Sequence, residues 1–211
     1  YMTLYNEARA NDGLAANYSQ EDIFNHASGS NPYRYPNFDM YSSEYLKKAY
    51  NRSEAIAEIS GGSEKVRYYT TTGYYRESSL LKVGKTEDNY VSRFFVRGNV
   101  DMQLHKFITA QADANVTFYD SYSANVDWWG QTATLRPHLV TPFIPLSYIE
   151  ATDQNSLNAV LNSSYLQDGK FFFGGTQQHP TNPVADAYAA GDSKFVSRQF
   201  QFNTRFDVNL S

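Results

Sequence analysis

Three stretches of the chain alternate apolar and polar side chains with a period of two and almost no errors. Between Tyr90 and Leu104 the even positions Phe94, Val96, Val100, Met102 and Leu104 are apolar, and the odd positions Arg93, Arg97, Asn99, Asp101 and Gln103 are polar. From Ile108 to Phe118 the split repeats, with Ile108, Ala110, Ala112, Ala114, Val116 and Phe118 on one side and Thr109, Gln111, Asp113, Asn115 and Thr117 on the other. It returns where Phe200, Phe202, Phe206, Val208 and Leu210 alternate with Gln201, Asn203, Arg205, Asp207 and Asn209. Successive side chains of a strand point to opposite faces of a sheet, so this period predicts long strands with one greasy and one wet face. No partner sheet that would cover the greasy face is visible in the sequence.

Composition narrows the class. Aromatic residues make up 16% of the 211 residues, with 18 Tyr and 14 Phe against 3 Met, a bias toward strands and membrane interfaces. The hydrophobic content of 41% is adequate for a soluble core, and the length leaves one domain or two open. A net charge of −4 gives no extended basic footprint, which argues against a nucleic-acid partner. The absence of Cys removes disulfides, thiolate metal sites and Cys nucleophiles together. No apolar run approaches the roughly 20 residues of a membrane-spanning helix. A transmembrane β-barrel looks the same by that test, because half of each strand faces polar contents. No leader precedes Tyr1 and the start reads as mid-element, so a fragment or a mature internal piece is expected.

Local signals then order the chain. Tyr1 to Ala10 reads as a short helix ended by Asn11-Asp12-Gly13, and Ser19 before Glu21-Asp22 and Ile23-Phe24 as a second helix start. Gly29-Ser30-Asn31-Pro32 and Tyr35-Pro36-Asn37 carry turn chemistry, and Ser42 to Tyr50 is expected to add a third helical turn. Residues 1–52 are thus expected to be a loop region with short helices. Barrel-type strands are expected over about 53–60, 65–77, 90–104 and 107–119, within 53–119, with a break at Gly61-Gly62-Ser63 and a tight turn at His105-Lys106. Residues 120–194 form a long loop and 195–211 a returning strand. That loop holds Trp128-Trp129, Pro137, Pro142, Pro145, Phe171-Phe172-Phe173 with Gly174-Gly175, Pro180 and Pro183, and so many aromatics argue that it is folded. Short and long connections alternate along the path, as they do in outer-membrane barrels.

A series of short motifs carries a further signal. Leu4 with Asn6-Glu7-Ala8, Asn11-Asp12-Gly13 and Tyr35-Pro36-Asn37-Phe38-Asp39 come first. Ile59-Ser60-Gly61-Gly62-Ser63 with Lys65-Val66-Arg67-Tyr68, Gly73-Tyr74, Arg93 and Arg97-Gly98-Asn99-Val100-Asp101 follow. Pro180, Asn182-Pro183 and the strand from Phe202-Asn203 to Leu210 close the series. In order and spacing it resembles the SusC/RagA-like TonB-dependent outer-membrane transporters. Ser78-Ser79 stands where that family tends to carry Gly, and Met40 where Trp is common.

The resemblance implies an all-β fold made of antiparallel strands of a large transmembrane β-barrel, with long extracellular loops containing short helices. The chain would supply about five strands of a barrel of about 22, without the plug domain. It implies TonB-dependent uptake of a glycan or oligopeptide across the bacterial cell outer membrane. The implied partners are a SusD-like surface lipoprotein acting as a lid, the TonB complex through the missing plug region, the remaining barrel strands and outer-membrane lipid. Nucleic acid and cofactors are not expected. Because the edge N–H and C=O groups of an open sheet cannot stay unsatisfied in lipid, the remaining strands are expected from another chain or a further stretch.

Chemistry beyond transport finds little support. His26, His105, His138 and His179 are far apart in sequence and lack ligand spacing, so no metal site is expected, and His105 reads as a turn residue. Glu21-Asp22 and Glu87-Asp88 are adjacent in sequence and do not have the cross-cleft separation of glycosidase carboxylates. No nucleophile elbow, phosphate loop or dinucleotide fingerprint is present, so no catalytic residue is expected and the chain is not expected to be an enzyme. Arg93, Arg97, Asp101, Asp113 and Arg205 are expected to face the lumen, contacting the plug or holding water. Tyr68, Tyr69, Tyr74, Tyr75, Phe94, Phe95, Phe118 and Tyr119 are expected near strand ends, the outward ones anchoring at the interfaces. Trp128 and Trp129 either stack on a sugar ring or a peptide or pack the loop, and packing is favoured. The alternatives are a soluble or surface-exposed all-β carbohydrate-binding module and a structural barrel segment without transport.

Overall fold

The period of two resolves into a five-stranded antiparallel sheet in a computed structural model that describes residues 1–148, 152–161, 166–167, 170–172 and 182–210. In chain order the first elements are α1 (Met2–Asn11), α2 (Gln20–Ser28), β1 (Arg52–Gly62), β2 (Val66–Ser78), β3 (Tyr90–His105) and β4 (Ile108–Ala124). Then come α3 (Trp128–Thr134), β5 (Phe143–Pro145), α4 (Gln154–Leu161), β6 (Leu166–Gln167), β7 (Lys170–Phe172), α5 (Pro183–Ala189) and β8 (Asp192–Val208). They fall into two units: the large sheet, and the helices with a small sheet drawn from residues 1–46, 82–85 and 125–191.

In the large sheet the order is β1-β2-β3-β4-β8. Register follows the side-chain pattern, since a slip of one residue would carry every apolar group to the wrong face. Val96 lies opposite Thr72 and Val116, Val116 opposite Phe200, and Ala114 opposite Phe202. The even positions of β2, β3, β4 and β8 therefore share one face with the odd positions Ala55, Ala57 and Ile59 of β1. The opposite face carries polar rows, among them Arg97, Asn115 and Gln201, and Asn99, Asp113 and Asn203. Both faces are open within this unit: on the apolar one Ile59 is 64% exposed, Phe200 and Phe202 71% each. Among the described residues these five strands form an open sheet and not a closed barrel. Its outer strands are β1, exposed along its whole length, and β8, exposed almost throughout.

Two glycines make the β1–β2–β3 pairing possible. Gly73 lies opposite Phe95, and a Cβ there would sit 2.3 Å from the Phe95 ring. The ring covers bare backbone, the arrangement by which an aromatic neighbour compensates a glycine in a strand. Gly61 is covered in the same way by Tyr68. The break expected at Gly61-Gly62-Ser63 is thus displaced: both glycines pair in register within β1, and the turn falls after them. β3 and β4 are joined through Lys106-Phe107, with a register shift between Gln103 and His105. β4 runs on past Tyr119 to Ala124, and β8 starts before Phe195 at Asp192.

The second unit packs around Met40, Tyr45, Trp128, Val140, Val184 and Ala187, all buried. Its helices start where side chains satisfy the free N–H groups of a first turn. Ser19 Oγ accepts from Asp22 N–H while the Asp22 carboxylate accepts from Ser19 N–H, a capping box on α2. Asp127 caps α3 by accepting from Gly130 N–H. Asn182 Oδ1 accepts from Val184 and Ala185 N–H at the start of α5, Pro183 fills the first helical position, and Asn182 Nδ2 donates to Pro142 O. Gly84 approaches α5 so closely that a Cβ would meet Ala187 O at 2.5 Å, and its φ of +51° suits glycine.

β5, β7 and β6 form the small antiparallel sheet, in that order. The expected helical turn at Ser42 to Tyr50 is only a hydrogen-bonded turn, with Tyr45 and Leu46 N–H donating to Ser42 O. Phe173, Gly174, Gly175 and Pro180 lie outside the described residues. Among the described residues no helix is long and apolar enough to cross a membrane.

Candidate functional site

Twist curves a sheet, and the polar face of this one encloses an open hollow of about 1130 Å³. Arg93, Arg97, Asp113, Asn115, Tyr119 and Gln201 are among its lining residues. They converge because β3, β4 and β8 each contribute alternate positions. Side-chain amides and carboxylates on neighbouring strands offer donors and acceptors at strand spacing, exemplified by Asn115 Nδ2 donating to Gln201 Oε1 at 3.4 Å. The chemistry is that of a hydrogen-bonding wall bordered by the Phe95 and Phe195 rings. Among the described residues no group of three His, Asp or Glu is placed to hold a metal.

Of the residues singled out in the sequence, Arg93, Arg97 and Asp113 line this hollow. Asp101 and Arg205 occupy the same face further along the strands, where Asp101 stands opposite Arg67 and Gln111. Arg205 is engaged with Asp207, at 2.9 Å between Nη2 and Oδ1. The eight aromatic residues divide between the faces. Tyr68, Tyr74, Phe94 and Phe118 stand on the apolar side, while Tyr69, Tyr75, Phe95 and Tyr119 stand on the polar side. Phe195, which borders the hollow against Tyr119 at 5.8 Å between ring centres, is an addition that the sequence pattern did not mark. Its signal is the extension of the odd, polar-face series of β8 back past Gln199.

Trp128 and Trp129 separate by burial. Trp128 is 1% exposed and lies against Tyr45 at 5.7 Å between ring centres, a core residue. Trp129 is 48% exposed and stacks on Tyr41 at 6.4 Å with the rings 27° apart. An exposed pair of stacked rings is a surface on which a sugar or a planar group packs. Tyr41 has no sequence signal of its own, being remote from Trp129 in the chain.

His26 and His138 are far apart in sequence, yet their rings meet edge to face at 5.8 Å. Nδ1 of His26 is 2.6 Å from Pro36 O, and Nε2 of His138 is 2.9 Å from the Tyr18 hydroxyl. They tie the loop region together as a packed aromatic cluster with Tyr1. Burial, and then the neighbouring Glu44 carboxylate to which it donates, raise the Tyr45 hydroxyl well above the usual phenol range. Tyr45 therefore serves as a neutral donor.

An antiparallel sheet with one mainly apolar face, one mainly polar face and long outer strands has the side-chain character of a membrane-barrel wall. Among known proteins, the chain is similar to the TonB-dependent receptor P26 of Formosa agariphila, with 26% identity over 136 residues. The match takes in 64% of this chain and 12% of the receptor, so the chain corresponds to a small part of that relative's length. No family model matches the chain, and no solved structure matches it. The distant likeness points to TonB-dependent receptors and to the outer membrane.

Proposed function

We propose that this chain is part of the barrel wall and extracellular loops of a SusC/RagA-like TonB-dependent importer in the bacterial outer membrane. In this reading a glycan or oligopeptide is captured beneath a SusD-like lipoprotein lid and passes along the hydrated face once TonB acts on a plug encoded outside this sequence. The polar residues Arg93, Arg97, Asp101, Asp113 and Arg205 face the lumen, no bond of the cargo is broken, and no cofactor is used. The observation that carries the reading is the band of apolar side chains along one face of β3, β4 and β8. Outward residues from Phe94 to Leu104 cover roughly 33 Å of strand at about 3.3 Å per residue. Tilted by about 40°, that becomes about 25 Å of height, the apolar band of an outer-membrane barrel. The open edges of β1 and β8 add support, because strands of this kind need neighbours on both sides to lie in lipid.

The test uses the full-length protein in outer membranes, with single Cys substitutions in a region that has no Cys of its own. Nitroxides at Phe202→Cys and Asn203→Cys are expected to respond oppositely, the first to a lipid-soluble relaxing agent and the second to a water-soluble one. Equal response of both to the water-soluble agent would overturn the proposal in favour of a water-soluble module. Co-purification of a surface lipoprotein, and growth of a deletion strain on defined glycans and peptides, test the lid and the cargo.

A further inference from the structure

The apolar face does not stay apolar to its end. At the end of the strands from which the long connections leave, three successive cross-strand rows change character. The first is Tyr74, Phe94, Phe118 and Arg198, the second Arg76, Ser92, Asp120 and Val196, and the third Ser78, Tyr90, Tyr122 and Lys194. Arg198 donates to both oxygens of Asp120, at 2.8 and 3.1 Å, and its guanidinium lies over the Phe118 ring at 5.4 Å. Arg76 lies over Tyr90 at 4.9 Å, and Tyr90 stacks on Tyr122 at 6.4 Å.

These side chains share the face that carries Phe200 and Phe202, not the polar one. Two carboxylates accompany the cations there: Asp120, held by Arg198, and Asp192 at the start of β8. Neither Arg76 nor Lys194 has an ion pair among the described residues. Long cations at the rim of an apolar surface keep their stems on that surface and their charges in the polar layer beyond it. The polar layer beyond a hydrocarbon slab is made of headgroups, and Arg with Lys recognises a phosphate oxygen by charge-assisted hydrogen bonds. Tyr in the same layer sits with its ring at the boundary and its hydroxyl in the wet part.

We infer that Arg76, Lys194 and Arg198, set among Tyr90 and Tyr122, form a binding site for the phosphate-bearing headgroup of a membrane lipid in the leaflet at the long-connection end. The inference rests on the proposed membrane position of the apolar face. Asp120 is the positioning residue, holding Arg198 so that its guanidinium stays at the rim. Arg76 and Lys194 supply the charge that is free to meet the lipid.

The experiment uses the delipidated full-length receptor and two probes with identical acyl chains, phosphatidic acid and the phosphate-free diacylglycerol, with retained lipid counted by native mass spectrometry. Wild type is expected to retain phosphatidic acid about tenfold over diacylglycerol, the ratio of one good charge-assisted contact. The double substitution Arg76→Gln with Lys194→Gln is expected to bring the ratio close to one. Lys106→Gln, in the tight turn at the other end, is expected to leave it unchanged. Absence of preference in the wild type overturns the inference, as does a preference that survives the double substitution or falls equally with Lys106→Gln. A nitroxide at Phe202→Cys in the same preparation, reconstituted in bilayer, separates the two levels. If it reports lipid while the preference is absent, the headgroup site alone fails. If it reports water, the membrane reading fails with it.

Discussion

Gly73 shows how closely single atoms govern this sheet. Its missing Cβ is the space in which the Phe95 ring lies, so Gly73→Ala must drive the ring off its neighbour. The substitution is expected to cost about 1–3 kcal/mol, as overpacking does, read as a lower denaturant midpoint for loss of the folded band in gel-shift unfolding. Gly98 is the contrast: a Cβ there finds only Thr70 Oγ1, at 3.7 Å. Gly98→Ala is expected to shift the same midpoint by no more than about 0.5 kcal/mol. At the other kind of element, Ser19→Ala removes the hydroxyl that caps α2. Amide exchange over residues 20–28 is expected to quicken about fivefold, the size of a typical cap. Hydrogen bonds from the Ser19 hydroxyl and backbone hold the Asp22 carboxyl below the usual carboxylate range. Because the folded value is the lower one, this contribution is complete above the ordinary carboxylate pKa. It is lost as the pH falls through the depressed value, so α2 is expected to fray first in acid.

Along the strands, the prediction is one of alternation. Phe202→Arg places a charge in the middle of the apolar band and is expected to cost about 2–4 kcal/mol, whereas Asn203→Arg, one step along, is expected to fold and insert normally. Yield of heat-modifiable receptor in outer-membrane fractions measures both. The elements that decide this outcome were readable from sequence because the side-chain period of a strand is a local property: Phe94 to Leu104, Ile108 to Phe118 and Phe200 to Leu210 each declare their faces without knowledge of their neighbours. β2 was harder, since Tyr68, Tyr69, Tyr74 and Tyr75 put rings on both faces and only the pairing with β3 assigns them. Gly61 and Gly62 looked like a stop for the same reason. On the next strand the Tyr68 ring covers Gly61, and the backbone of Val66 and Arg67 lies against Gly62. Ser42 to Tyr50 has helix-compatible residues but forms only a turn. Of the candidate site, the lining by Arg93, Arg97 and Asp113 followed from alternation. The Tyr41–Trp129 stack and the His26–His138 contact did not, because each joins distant parts of the chain.

For the molecule as a whole, the two tryptophans separate a buried core position from an exposed stack. Trp128→Ala empties a fully buried site and is expected to cost about 3–5 kcal/mol within the helical unit, seen as early proteolysis of the loops. Trp129→Ala is expected to leave that resistance intact and, under the proposed function, to weaken cargo uptake by removing the stack on Tyr41, measured as growth on limiting glycan or peptide. One feature of the pairing also bears on how the protein is made. β1 to β4 pair in chain order, the widest gap between them being residues 79–89. β8 reaches β4 only across residues 125–191. Closing so long a segment is entropically slower than zipping a hairpin. The β4 edge that β8 covers is therefore the last of the paired edges of this sheet to close, and the one left open to aggregation while residues 125–191 are being made.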